Sequence, residues 1–428
     1  MIYDVVIIGS GISGLYAAYN IKRHNPNLSI IVLEKQKRRW IGGRTGNEPF
    51  YGASIATGAG IGRKKDRLLK KLMKDLGHDI KEFRIEPHYS KSLNPVDVKD
   101  ILSDLREEYE KHPVDTTFEK FAKPILRSIP DATREEYNLT PENLVRRSLG
   151  PDIYRRFLLS SGYQDYEKAG IHETLYDYGM EDNACCMTAF GVHWAQTIQD
   201  LAAEIGDSSL KFSQNVVGIN GTVGNFSVET EAGRKYNCKK IIVATTITGL
   251  RALFPRNPIY REIEGQPFLR VYGKFAKQSI PVMKEYVKSG HLMVPGLIQK
   301  IIAIKADDGI YMIVYNDNKN AVALKDRTEN TAPHREYYCE LLERSLGIPG
   351  GMLHLIAIRA FYWAVGTHYY PPLDVSKYES REDFIDEAQH PADGILVVGE
   401  VVSRHQGWVE GALESVEAVV TKKWMNKI

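Results

Sequence analysis

Short apolar runs set the pattern at both ends of the chain. Tyr3–Ile8 is short and, from Val5 on, β-branched and apolar, as a strand buried on both faces should be. Gly9-Ser10-Gly11-Ile12-Ser13-Gly14 follows, and Gly14, Ala17, Ala18 and Ile21 then recur on one helical face as far as Arg23. Ser29–Leu33 predicts a second buried strand ending at Glu34, and Ile395–Val398 a third. Between the ends, Leu68, Leu69, Leu72 and Leu76 stripe an amphipathic helix over Arg63–Gly77, with Gly77 as its C-cap. Residues 95–205 read as mostly helical. Leu210–Ile219, Asn225–Glu231 and Lys239–Ala244 read as strands. Phe268–Lys277 alternates, with Leu269, Val271, Gly273 and Phe275 on one face and Arg270, Tyr272, Lys274 and Ala276 on the other. Ile301–Lys305 and Ile310–Tyr315 flank the turn Asp307-Asp308-Gly309, and Met352–Phe361 adds a further strand of an antiparallel sheet.

Composition narrows the class. The chain has 428 residues, 43% hydrophobic and 26% charged, which excludes disordered, collagen-like and coiled-coil chains. Fifty-six basic against 54 acidic residues give a net charge of +2, so the overall balance calls for no nucleic-acid or membrane partner. The basic face of the 63–77 helix is the local exception. Its plainer reading is a solvated surface, its sharper one contact with DNA, chromatin or an anionic membrane. The four cysteines, Cys185, Cys186, Cys238 and Cys339, form no CxxC pair and fit a reducing compartment. Adjacent Cys185 and Cys186 have poor disulfide geometry and are expected as buried thiols. His172 and His193 are expected to be structural. No apolar run approaches the ~18 residues of a membrane span, and the N-terminus lacks a secretory pattern. The expectation is a soluble intracellular protein, cytoplasmic or nuclear.

Chemistry enters at the first turn. Glycines between a buried strand and a helix permit a tight turn and close backbone approach to a pyrophosphate, while the helix N-terminus presents free N–H groups. Glu34, 20 residues after Gly14, stands where an acidic side chain would accept hydrogen bonds from a ribose. Gly9, Gly11, Ser13, Gly14 and Glu34 are therefore candidate nucleotide-binding residues.

Glu34-Lys35, Arg39 and Ile41-Gly42-Gly43-Arg44 resemble the signature of glutathione-reductase-type FAD proteins, in particular the flavin-containing amine oxidases. The resemblance places Gly43 and Arg44 along the FAD diphosphate. It makes Ser54 and Ile55, in Tyr51–Ile55, contacts beneath the flavin ring, and gives the adenine-side backbone contact to Val216. Thr246 stands where the family usually has proline. Val271–Phe275 resembles the strand on which the polyamine oxidases, monoamine oxidases and histone lysine demethylases carry a lysine near flavin N5, which makes Lys274 the catalytic candidate. Phe361–Pro372 resembles the stretch crossing the flavin's re face. It implies substrate contacts at Trp363, Gly366 and Tyr369, with Gly366 in place of a tyrosine of the family's aromatic cage. Val365 stands where monoamine oxidases attach FAD to a cysteine, so the FAD is expected to be non-covalent. Gly399-Glu400 and Gly407–Ala412 resemble the closing motif. There Glu400 would bind the ribityl chain, Val409 would start a helix aimed at flavin O2, and Trp408 would supply the surviving half of the cage. Val416 replaces a usual glycine.

These segments imply an α/β fold with a discontinuous glutathione-reductase-type, Rossmann-like FAD-binding domain, residues 1–77, 206–255 and 386–428. Residues 78–205 and 256–385 would form a substrate domain of mixed sheet and helix. The activity implied is oxidation of a small or peptidyl amine to an imine with O2 as acceptor, giving H2O2, with no metal. Two alternatives stay open: a flavin desaturase or protoporphyrinogen-oxidase-like enzyme, and a non-enzymatic FAD-stabilised module that binds chromatin or protein.

Overall fold

The computed structural model describes residues 2–111, 141–164, 167–179, 186–288, 290–374 and 376–426; Cys185 lies outside them. Two sheets organise the chain. The first has seven strands in the order 216–222, 225–230, 235–243, 2–8, 30–33 and 210–211, with 395–397 also pairing with 235–243. The strand Ile2–Ile8 lies parallel to both of its neighbours. The continuous apolar run Val5–Ile8 has a simple cause, since Val5 and Ile7 enter the core on one face while Val6 and Ile8 enter the core on the other. The helix Ile12–His24 covers the first of these faces together with Trp194–Ile205 and Val409–Val419. Val416, in place of the family's glycine, is fully buried in that core.

The second sheet runs in the order 355–369, 264–275, 310–317, 300–305, 291–293 and 87–89. Leu269, Val271 and Phe275 pack into a core shared with Tyr338, Leu342 and Leu346 of the helix Ala332–Leu346. On the opposite face Tyr272 meets Ile55, Met312 and Phe361. The alternation read from Phe268 onward is thus the division between a helix-covered face and a face turned toward the first sheet's loops.

Several elements depart from the sequence reading. Leu210–Ile219 is two strands, 210–211 and 216–222, separated by Ser213 at φ 55°. The break lets Ser213 N donate to Gln36 O and Gln214 N to Glu34 O, tying this loop to the end of the second strand. The basic helix spans Arg67–Asp75, because Ile61–Arg63 is taken up as a strand against residues 187–191. Helix Trp194–Ile205 packs on the first sheet, whereas the sequence reading grouped it with the segments of the second. The helices Asn318–Leu324 and Ala332–Leu346 were not read from the sequence. Cys186 is disulfide-bonded and half-buried, which corrects the free thiol expected there; Cys238 and Cys339 are free and buried. Among the described residues no helix is long and apolar enough to cross a membrane.

Candidate flavin and substrate site

The first turn is closed on one side and open on the other. A β-carbon on Gly9 (φ 105°) would stand 2.3 Å from the Ala244 carbonyl oxygen, and one on Gly14 would stand 2.1 Å from the Gly9 carbonyl oxygen. Those glycines let strand and helix approach. A β-carbon on Gly11 would meet nothing within 4 Å, and one on Gly43 only the Gly11 Cα, at 3.7 Å. Gly42 forms a parallel bridge with Gly11 and donates its N–H to Ser10 O at 2.8 Å. The helix Ile12–His24 starts at Gly11 with no side-chain cap and no acidic residue in its first turn. The result is a backbone cradle facing open space with a positive dipole end, suited to a diphosphate. Glu34 lies over the turn, its Oε2 accepting from Ser10 N and Ser10 Oγ at 2.9 Å each. The residues present therefore fit a flavin dinucleotide: cradle, guanidinium and ribose acceptor gather beyond the C-terminal ends of strands 2–8 and 30–33. Val216 opens its strand beside the loop that bonds to Glu34 and Gln36, and Ser13 lies within 3.5 Å of the β-carbon position of Gly399.

Arg44 joins the two ends of the chain. Its Nη1 donates to Gly366 O at 2.8 Å and pairs with Glu400 Oε2 at 3.3 Å. Glu400 is buried, and four protein donors reach it. Oε1 accepts from His368 N and Gly407 N, while Oε2 accepts from His368 Nδ1 at 2.6 Å and from Arg44. Burial works to raise its pKa, but His368, Arg44 and the Gly407 N–H outweigh that and hold the carboxyl down at about 2. A carboxylate has about four acceptor positions, so in this structure Glu400 organises the loop and is not left free for a ribityl hydroxyl. His368 Nε2 faces the Ile247 N–H at 3.1 Å, which sets the neutral Nδ1–H tautomer. Burial depresses its pKa against the opposing pull of Glu400.

The aromatic residues gather next to this hub. Trp363 Nε1 donates to Thr57 O at 2.8 Å, and its ring meets Trp40 edge-on at 6.3 Å. Trp408 caps the helix Val409–Val419, donates Nε1 to Tyr178 O at 3.3 Å and lies 3.9 Å under the Arg63 guanidinium. Tyr369 and His368 line a cavity of about 20 Å³ with Tyr178, Gln266 and Gln406, room for about one water. At Gly366 a β-carbon would stand 2.6 Å from the Phe268 Cβ. Phe268 therefore occupies the space that a side chain at position 366 would need.

The structure separates three expected residues from this group. Lys274 lies eight residues along the strand from Gln266, about 26 Å at ~3.3 Å per residue, and its Nζ donates to Asp308 O at the hairpin tip. Ser54 is exposed on a hairpin of Asn47–Phe50 and Ala53–Ala56, while Ile55 turns into the second sheet. The segment that does pass the hub is 57–60. Ala59 N donates to Arg44 O at 2.8 Å, Thr57 O takes Trp363, and Gly60 packs on Arg270. Phe268, Arg270 and Thr57–Gly60 are thus candidate site residues that the sequence reading did not name. The small-residue run Gly58-Ala59-Gly60 was the available signal.

Comparison with known proteins gives the family and the fold. Residues 12–276 match the family of flavin-containing amine oxidoreductases. Uncharacterized protein R188 of Acanthamoeba polyphaga mimivirus is 22% identical over 98% of this chain and 93% of its own length. Among solved structures, cyclohexylamine oxidase from Brevibacterium oxydans IH-35A superposes with a TM-score of 0.72 at 16% identity, covering 100% of this chain and 99% of that one. Putrescine oxidase bound to putrescine gives 0.68 at 14% identity, with 98% of each chain covered. The chain belongs to the flavin-containing amine oxidoreductase family, and its two-sheet architecture is that of the family's amine oxidases.

Proposed function

We propose that the protein binds FAD non-covalently and oxidises an amine C–N bond to an imine, with O2 as the terminal acceptor and H2O2 as its product. The observation that carries this reading is the junction at Arg44. One guanidinium ties the open Gly11–Gly43 cradle to Gly366 and Glu400, so the diphosphate seat and the aromatic wall are built as one unit. Bound FAD would supply the two-electron sink that takes the hydride equivalent from the α-carbon and passes the electrons to O2. The chain's own residues do the rest. Gly11, Gly43 and the N-terminus of helix 12–24 would hold the diphosphate, Glu34 the ribose, and Val216 the adenine edge. Trp408, Trp363, Tyr369 and Phe268 would wall the amine and exclude water, and the N-terminus of helix 409–419 would face the charge that develops on the ring. Net, the amine, O2 and one water become a carbonyl compound, ammonia or a smaller amine, and H2O2.

Non-covalent attachment is supported by the cysteines. Burial pushes the Cys238 thiol up to about 12 and the Cys339 thiol up to about 11, so neither is a ready nucleophile. The distinction from a desaturase, which the sequence rested on Lys274, rests now on the family and on the aromatic wall. The test is direct. Acid precipitation of the yellow protein should release intact FAD into the supernatant. With a turned-over amine, peroxide and carbonyl product should appear in equal amounts. Flavin retained in the pellet, or carbon–carbon desaturation with no amine consumed, would overturn the reading.

A further inference from the structure

Arg270 is a buried cation that the proposed reaction leaves unused. Arg270 sits mid-strand, paired with Tyr315 and Phe361, and is only 4% exposed. Its guanidinium carbon lies 4.6 Å from the Tyr315 ring centre and 5.2 Å from that of Phe268. A β-carbon on Gly60 would meet its Nη2 at 3.3 Å. Its Nε has no hydrogen-bond partner, and no carboxylate pairs with it among the described residues. A guanidinium cannot shed its proton to escape burial, and buried charges are normally paired.

The surroundings add positive charge. Lys300, 1% exposed, places Nζ 3.7 Å from the Tyr163 ring centre and 5.0 Å from that of Tyr315. Burial, reinforced by Lys300 and Arg270, drives His291 down to about 3, so it stays neutral. The buried carboxylate of Asp317, whose charge Lys300 favours, is occupied by Gln164 N at 2.8 Å and Gln299 Nε2 at 3.0 Å. Arg270 also lies on the face that grips the flavin-side segment, between Tyr272, whose hydroxyl donates to Ala56 O at 2.7 Å, and Phe268.

We propose that Arg270 is the anion-binding residue of the catalytic centre and that it receives the carboxylate of the substrate, which is therefore an amino acid with an apolar or aromatic side chain. The inference rests on the amine-oxidase reading of the same site. A planar guanidinium matches a carboxylate bidentately, and the rings of Phe268, Tyr315 and Tyr163 packed about the two cations make the surroundings aromatic, which suits an apolar or aromatic side chain. A diamine would instead bring a second ammonium against Arg270 and Lys300, so putrescine is an expected non-substrate.

The test uses the FAD-loaded protein and benzoate, a carboxylate with no amine to oxidise. Benzoate should perturb the flavin band saturably, with affinity falling at least ~10-fold in Arg270→Met and less in Arg270→Lys. Anaerobically, phenylalanine should bleach the wild-type flavin at lower concentration than phenethylamine does, and Arg270→Met should lose about 100-fold of that preference. The flavin midpoint potential should not move in either variant. Failure of wild-type protein to bind benzoate, or preferential reduction by putrescine or phenethylamine, would overturn the inference while leaving amine oxidation intact. A potential that falls in Arg270→Met with benzoate binding unchanged would assign the arginine to the reduced flavin instead. If no amine or amino acid bleaches the flavin, the amine-oxidase reading fails, and the benzoate titration still decides the anion site. If Arg270→Met does not fold, the wild-type ligand panel and Arg270→Lys carry the test.

Discussion

At Glu400 a single carboxylate holds Arg44, His368 and the Gly407 N–H together. Its folded pKa of about 2 lies below the ordinary value near ~4.3. The sign follows. The stability it contributes is present above pH ~4.5 and is lost as pH falls toward 2. Glu400→Gln should lower stability at pH 7 by about 3 kcal/mol, since it leaves Arg44 short of its counter-charge. Chemical denaturation across pH should show the gap between variant and wild type narrowing below pH ~4, and a constant gap would refute this role. Lys274 gives the opposite expectation. With Nζ held at Asp308 O, Lys274→Met should leave the rate of anaerobic flavin reduction within about twofold of wild type. A loss of two orders of magnitude in stopped-flow reduction would return the lysine to the centre.

The strand–turn–helix element separates packing glycines from a ligand-facing one. Gly14→Ala drives a methyl to 2.1 Å from the Gly9 carbonyl oxygen, so it should cost several kcal/mol or prevent folding. Gly11→Ala meets open space within the protein. It should leave the thermal midpoint of the flavin-free protein nearly unchanged while cutting flavin occupancy, read as the ratio of visible to protein absorbance. Equal loss of stability in both variants would mean that the open side of the turn is not a ligand seat. The same element shows why the sequence was so readable here. Val5 to Ile8 alternate between two cores, and the glycine spacing encodes a local geometry that needs no distant partner. The Phe268–Lys277 strand was legible for a related reason, since its alternation fixed both faces. Which residue on the polar face lies at the centre depends on how far the strand slides past segment 57–60. That is a tertiary register, and the pattern Val271–Phe275 did not contain it. Arg270 and Lys274 share a face, and only the contacts at Gly60 and Asp308 tell them apart.

Over the whole molecule, the first sheet gathers strands from residues 2–33, 210–243 and 395–397, and the second from 87–89 and 264–369. Motifs scattered along the sequence converge because Arg44, Gly366 and Glu400 meet across 356 positions of chain. The convergence was legible as an ordered set of motifs. The role of Phe268 was not, because it follows from a glycine on a neighbouring strand making room. Phe268→Ala should reopen that space and raise the amine KM about 10-fold or more with a smaller change in kcat, measured by steady-state peroxide release. The same change in kcat as in kcat/KM would contradict a wall function.

The central claim is that this flavoprotein oxidises amines at the junction built by Arg44. Its most direct test is the visible spectrum of the purified, FAD-loaded protein under anaerobic conditions, before and after a panel of amino acids, monoamines and diamines. The account predicts that the oxidised flavin band bleaches with at least one amino-group donor, and that Arg44→Met loses the flavin before any bleaching can occur. A yellow protein that no member of the panel reduces, yet that dithionite reduces normally, would contradict it.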